Sequence, residues 1–249
     1  MKLKTKSLES YSMKATDGEL GKIDDFYFSP NSFEIKYVVG DTRTWFFGGK
    51  VLLHPESFKE INIIENYISV NATKEQIKNS PKPGEHGPTI GFERELNHYY
   101  GWSYFAGATN TYTARQPALG AVFLSRLNDT TKENKSELEK DQETNLVSID
   151  DIRGFEVHAK NGIVGKVSDF IVDQNNWFMP YLEIDVGGYF DFSHVLVPTE
   201  SIKEVNTLDK TLSVTIEKEM IEKAPRSEPA ISFNEIEPSL EDYYKGITR

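Results

Sequence analysis

Apolar and polar residues alternate in short runs along most of this chain, the pattern of half-buried strands rather than of long helices. Leu20 to Phe28, Phe33 to Gly40, Lys50 to Leu53, Phe58 to Ile64 and Tyr67 to Val70 predict a succession of short strands. Ser29-Pro30-Asn31-Ser32 supplies a turn between the first two, and Asp17-Gly18 just before them tolerates positive φ. In the first run the apolar positions are 20, 23, 26 and 28, so strict alternation slips after Gly21. A β-bulge there explains the slip, because glycine permits the backbone geometry a bulge needs. Thr73-Lys74-Glu75-Gln76-Ile77 then reads as a capped helical turn, ended by Pro81.

The whole pattern returns without a gap at a fixed offset of 144 (162 minus 18). Gly18, Gly21, Lys22, Asp25 and Phe26 fall on Gly162, Gly165, Lys166, Asp169 and Phe170. Further on, Tyr37 meets Tyr181, Asp41 meets Asp185, Val51-Leu52 meets Val195-Leu196, and Pro81 meets Pro225. Chance does not produce such a match, so the chain carries two copies of one small domain. Short strands this close together predict a closed β-barrel in each copy, since closure removes exposed edges. The expected fold is mainly β, two small barrels in tandem.

The repeat extends beyond the barrels. Phe92, Leu96, Tyr99 and Tyr100 fall on Ile236, Leu240, Tyr243 and Tyr244, an i, i+4, i+7, i+8 spacing that marks one apolar helix face. Pro238 predicts a shorter second helix, starting near that proline. Each aromatic tail, with Trp102 joining the first and Ile231 and Phe233 the second, either caps its own barrel or crosses to the other barrel or another chain. Asp129 to Asn145 is almost wholly polar and reads as a flexible tether. The expected organisation is a first barrel over 1–81, tail and connector over 82–128, linker over 129–149, a second barrel over 150–225, and a second tail over 226–249.

A net charge of -11 argues against nucleic acid or an anionic membrane surface as partner, because both require clustered lysine and arginine. With no cysteine, disulfides, thiolate metal sites and cysteine nucleophiles are excluded, and a reducing cytoplasm is the default compartment. The positive start Met1-Lys2-Leu3-Lys4 is followed by Ser7-Leu8-Glu9-Ser10 rather than an apolar signal core. No run approaches the ~20 apolar residues of a spanning helix, so no integral membrane segment is expected. Domains of about 70 to 80 residues are marginal alone, which predicts that the barrels pair within the chain and leaves a homodimer open.

Gly21 to Phe28, Tyr37-Val38-Val39-Gly40-Asp41 and Lys50-Val51-Leu52-Leu53 resemble the PRC-barrel family, and Gly165 to Phe170, Tyr181 to Asp185 and Val195 to Pro198 repeat the resemblance. Tyr99-Tyr100-Gly101-Trp102 looks like the segment that follows the first barrel in two-barrel bacterial members. The family is named for the cytoplasmic domain of the photosynthetic reaction-centre H subunit and includes the C-terminal domain of a ribosome maturation factor. The H subunit's membrane helix and the maturation factor's N-terminal domain have no counterpart here. The resemblance implies a six-stranded barrel that associates with proteins and performs no chemistry.

Candidate chemistry is sparse. His54, His86, His98, His158 and His194 lack ligand spacing and are expected to be solvated. Asp25 with Asp169, and Asp41 with Asp185, could be paired carboxylates, but each sits beside a turn or strand end where aspartate commonly accepts backbone N–H bonds, and no nucleophile completes a set. Gly18 and Gly21 lack the spacing of a phosphate loop. No catalytic, cofactor or metal site is therefore expected. Gly21, Asp25, Gly165 and Asp169, with the two aromatic tails, are the candidate structural or interface residues. The reading is a non-enzymatic interaction or assembly module with an unidentified protein partner. The second reading is an accessory of an electron-transfer complex, with a small-molecule pocket lined by Trp45, Phe46 and Phe47.

Overall fold

The computed structural model describes residues 1–43, 49–84, 87–102, 144–187, 193–227 and 233–246. They fall into two compact units, Met1–Lys74 with Asn145–Arg249, and Glu75–Thr144. The chain is mainly β, and the first unit carries a continuous fourteen-stranded sheet.

In the first repeat the strands are β1 (Lys2–Lys4), β2 (Ser12–Ala15), β3 (Gly18–Ser29), β4 (Glu34–Asp41), β5 (Lys50–Leu53), β6 (Phe58–Asn62) and β7 (Tyr67–Val70). A short helix α1 (Thr5–Glu9) follows β1, and α2 (Lys74–Asn79) follows β7. The second repeat copies this order with β8 (Val147–Ser148), α4 (Ile149–Ile152), β9 (Glu156–Ala159), β10 (Gly162–Asp173), β11 (Phe178–Asp185), β12 (His194–Pro198), β13 (Ile202–Asn206), β14 (Thr211–Val214) and α5 (Lys218–Glu222). Helix α3 (Ile90–Tyr100) lies between the repeats and α6 (Phe233–Tyr244) after them. Leu20, Phe26, Phe28, Leu52 and Ile68 of the first repeat are fully buried, as are Phe170, Leu182, Leu196 and Leu212 of the second.

The ladder of each repeat is open, where closure was expected. It runs β6-β7-β2-β3-β4-β5 in the first copy and β13-β14-β9-β10-β11-β12 in the second. Among the described residues no pairing joins β5 to β6 or β12 to β13. Those strands are linked by short 3-10 turns, Pro55–Ser57 and Thr199–Ser201.

The bulges lie where the alternation slips. The β2–β3 register jumps from Met13 opposite Gly21 to Lys14 opposite Glu19, and β9–β10 jumps from Val157 opposite Gly165 to His158 opposite Ile163. A Cβ at Gly21 would sit 1.9 Å from the Asp41 carbonyl oxygen, and one at Gly165 2.1 Å from that of Asp185. Only glycine lets the two strands approach so closely.

Two further expectations need correction. Val147–Ser148, expected to be flexible linker, is a strand: Val147 pairs with Phe28 and Ser148 with Tyr27. The second tail helix starts at Phe233, not near Pro238, and contains that proline. A mid-helix proline costs about 3 kcal/mol, offset here because Ile236, Leu240 and Tyr244 are all buried. At the start of α2 and α5 the Lys74 N–H donates to Asp17 Oδ1 and the Lys218 N–H to Asn161 Oδ1, both at 2.8 Å, and the two acceptors are counterparts (17 plus 144 is 161).

The second unit contains α3, whose N-cap Thr89 accepts the Phe92 N–H at 3.2 Å and whose C-cap Gly101 is left-handed. Its Tyr99 hydroxyl donates to the Gln76 carbonyl at 2.8 Å.

Candidate interface between the repeats

Within the first unit the two repeats exchange their leading segments. Strand β1 leaves its own repeat and pairs with β10, with Leu3 opposite Val172 and Lys4 opposite Ile171. Strand β8 does the reverse and pairs with β3, with Val147 opposite Phe28 and Ser148 opposite Tyr27. Adding 144 to the β1 residues and subtracting it from their β10 partners gives the β8–β3 pairs, so the exchange follows a local twofold axis.

That axis passes through the sheet where β4 meets β11. Glu34 stands opposite Phe178, its own counterpart, with Ile35 N–H donating to the Trp177 carbonyl and Met179 N–H to that of Phe33, both at 2.8 Å. Phe33 and Trp177, again counterparts, have positive φ values of 52° and 57°. Bulky residues adopt this region only when surrounding contacts hold them there. Here the holding contacts are aromatic: Trp177 packs on Phe58 with ring centroids 5.2 Å apart, and Phe33 lies with Phe28 and Phe170 at 5.8 and 6.4 Å.

The repeated aspartates complete the junction. Asp25 is buried on β3, where its Oδ2 accepts the Ser148 hydroxyl at 2.5 Å and its Oδ1 accepts the N–H of Asp150 at 3.1 Å and of Phe26 at 2.7 Å. Asp169, fully buried on β10, accepts the Thr5 hydroxyl and, at 3.2 Å, the Lys6 N–H. Each carboxylate thus binds the first turn of the short helix that the other repeat sends across. Burial pushes the Asp25 carboxyl up from its usual range, against the pull of the Ser148 hydroxyl and the Phe26 N–H.

Beside Asp169 lies a charge cluster. The Arg153 guanidinium meets Glu9 at 2.6 Å, Asp169 at 3.1 Å and also Asp150. Burial alone would lower the Arg153 pKa, but the bonds to Glu9 and Asp169 hold it above the ordinary value. Burial raises the Glu9 carboxyl despite this partner. Nearby, Lys4 reaches the buried Glu183 at 2.5 Å, and Glu183 also accepts the Ser227 hydroxyl at 2.9 Å.

This reciprocal architecture carries sequence signatures found elsewhere: the PRC-barrel domain family matches residues 13–77 and 145–221, together more than half of the chain. The chain belongs to the PRC-barrel family. No curated protein sequence matches it.

The PRC repeats draw Asp25 and Asp169 into their junction, whereas Gly21 and Gly165 pack within their own repeats, against the backbone of Asp41 and Asp185. Asp41 is held by Arg43, which donates to both its oxygens, and Asp185 accepts the Gly187 N–H at 3.0 Å. Of the tails, Tyr181 of the second PRC barrel packs on Phe233 with tilted rings whose centroids are 5.3 Å apart, Lys2 binds Glu237, and the Tyr243 hydroxyl donates to the Met220 carbonyl at 2.7 Å. Helix α6 therefore covers its own barrel and the strand exchanged onto it. In α3, Phe92 and Leu96 are buried, Tyr100 stacks on Trp102 at 4.3 Å, and Tyr99 is exposed.

His54 differs from the solvated expectation: it is half-buried, its Nδ1 accepts the Glu56 N–H at 3.2 Å, and burial lowers its pKa. It lines an open groove of about 470 Å³ with Glu34, Phe58, Gln174 and Trp177. No cluster among the described residues could hold a metal ion, and no described helix is long and apolar enough to cross a membrane. Trp45, Phe46, Phe47, His86 and Ile231 lie outside the described residues.

Sequence reasoning missed Thr5, Glu9, Ser148, Arg153, Lys4 and Glu183. One signal was available: Glu9 and Arg153 are 144 apart and opposite in charge.

Proposed function

We propose that this tandem PRC-barrel protein is a non-enzymatic assembly module, a rigid two-barrel body that presents its surface to a protein partner in the bacterial cytoplasm. The observation that carries the reading is the use made of Asp25 and Asp169. Both recurring buried carboxylates accept hydroxyl and backbone donors of the opposite repeat and, within their own repeats, the Phe26 N–H and the Arg153 guanidinium, an occupation that suits a structural role. Strands β6 and β13 add support: among the described residues each pairs on one side alone, with β7 and β14, and an unpaired edge is a ready template for a partner's strand.

The test is size-exclusion chromatography of native extract with the chain quantified in each fraction, followed by the same run on purified chain. Elution of the native chain in a larger complex than the purified chain forms supports the reading. Identical elution of the two contradicts it.

A further inference from the structure

At a twofold axis a residue meets its own counterpart, so two identical halves would set one side chain against itself. Position 9 and position 153 are such a pair (153 minus 144 is 9), and here they are Glu9 and Arg153, bonded at 2.6 Å with 22% and 14% of their side chains exposed. Two first repeats paired in the same way would bring Glu9 against Glu9. Two second repeats would bring Arg153 against Arg153. Both side chains are largely shielded from water, which makes each like-charge contact more costly than on an open surface.

A second contact discriminates in the same direction. Lys4 of the first repeat binds Glu183 of the second at 2.5 Å, and Glu183 is 3% exposed. Their counterparts are Ser148 (4 plus 144) and Val39 (183 minus 144). Pairing two second repeats would offer the buried Glu183 a serine in place of an ammonium. Pairing two first repeats would press Lys4 against a valine that is buried on β4. The backbone bonds from Asp150 to Asp25 and from Lys6 to Asp169 are counterparts (6 plus 144 is 150) and recur on both sides, whereas these charges do not.

We propose that Glu9 with Arg153, supported by Lys4 with Glu183, is a pairing code: each half of the molecule accepts the unlike half and refuses a second copy of itself. Specificity of this kind arises from the repulsion built against the wrong pair as much as from attraction in the right one. The partner surface for the first repeat is thus a second repeat, in the same chain or in another, whatever further protein the assembled body binds.

Full-length chains test this by complementation. E9R places two arginines at the axis and R153E two glutamates, so each variant alone melts below the wild type. The double variant E9R/R153E restores opposite charges and recovers more than half of the larger single-variant loss in Tm. Equimolar E9R and R153E, unfolded together and refolded, form a 1:1 heterodimer in native mass spectrometry. In it the arginine introduced at position 9 of one chain meets the glutamate introduced at position 153 of the other, while the remaining Glu9 and Arg153 pair as usual. If either variant precipitates alone, a soluble heterodimer from the mixture is the expected rescue. A mixture that contains only the species of the separate samples, or that precipitates as they do, overturns the proposal.

Discussion

The Asp25 carboxylate accepts the Ser148 hydroxyl at 2.5 Å across 123 residues of sequence, and Asp169 accepts the Thr5 hydroxyl across 164 residues in the opposite sense. One repeated residue therefore performs one task twice, each time for the other half of the molecule. Because both carboxylates are buried, removing either leaves donors without an acceptor, which costs more than the bonds themselves contribute.

The two aspartates differ in charge environment, and their substitutions should differ accordingly. Asp25→Asn keeps an acceptor for the Asp150 N–H and should cost about 1–2 kcal/mol. Asp169→Asn also weakens the compensation of Arg153 and should cost about 3–5 kcal/mol. Urea denaturation of both variants checks the order; equal losses would mean that Arg153 does not depend on Asp169.

The raised Asp25 pKa has a definite sign. A carboxyl whose folded pKa lies above its unfolded value of 3.8 binds its proton more tightly in the folded state. Its contribution is fully present below pH 3.8 and is lost as pH rises through the folded value. The stability difference between wild type and Asp25→Asn should therefore shift in favour of the wild type as pH falls from 7 towards 4. Thermal scans across that window check it, and a difference that moves towards the variant on acidification would contradict the burial of Asp25.

Much of this fold was legible in the sequence, because it depends on local pattern and on duplication. The bulges followed from the slip of alternation at Gly21 and Gly165, and the apolar faces of α3 and α6 from their spacing. The exchange was not legible. Lys2–Lys4 and Val147–Ser148 are too short for a periodic signal, and their pairing partners are set by tertiary register rather than by neighbours in sequence. Pro238 misled for a related reason: its rule is local, whereas the burial of Ile236 and Leu240 that overrides it is not. Closure of the barrels was inferred from the cost of edges, but Pro55–Ser57 and Thr199–Ser201 carry the chain round without a ladder.

The bulge glycines make a sharp contrast with glycines in open space. Gly21→Ala and Gly165→Ala push a methyl into a backbone carbonyl on the neighbouring strand and should each lower stability by about 1–3 kcal/mol or more. Gly154 has a positive φ of 85° but no atom within 4 Å of an added Cβ, so Gly154→Ala should cost only about 1–2 kcal/mol from backbone strain. Calorimetric Tm values check the ranking.

The tail tyrosines of α6 are neighbours with opposite needs. Tyr243 donates to the Met220 carbonyl, so Tyr243→Phe should lose about 0.5–1.5 kcal/mol. The Tyr244 hydroxyl is buried and has no hydrogen-bond partner among the described residues, so Tyr244→Phe should be neutral or stabilising. Denaturation midpoints of the two variants decide this, and a large loss for Tyr244→Phe would show a partner for its hydroxyl.

The central claim is the local twofold joining the repeats, and Glu34 and Phe178 test it most directly. The bonds from Ile35 to Trp177 and from Met179 to Phe33 make them a non-hydrogen-bonded antiparallel pair, whose Cα atoms lie about 4.5 Å apart and suit a disulfide. The chain has no cysteine, so the E34C/F178C variant carries no competing thiol. Oxidation of dilute protein should give one intrachain disulfide, read by mass spectrometry of the non-reduced digest. Free thiols, or bridges formed only between chains, would contradict the pairing of the two repeats within one molecule.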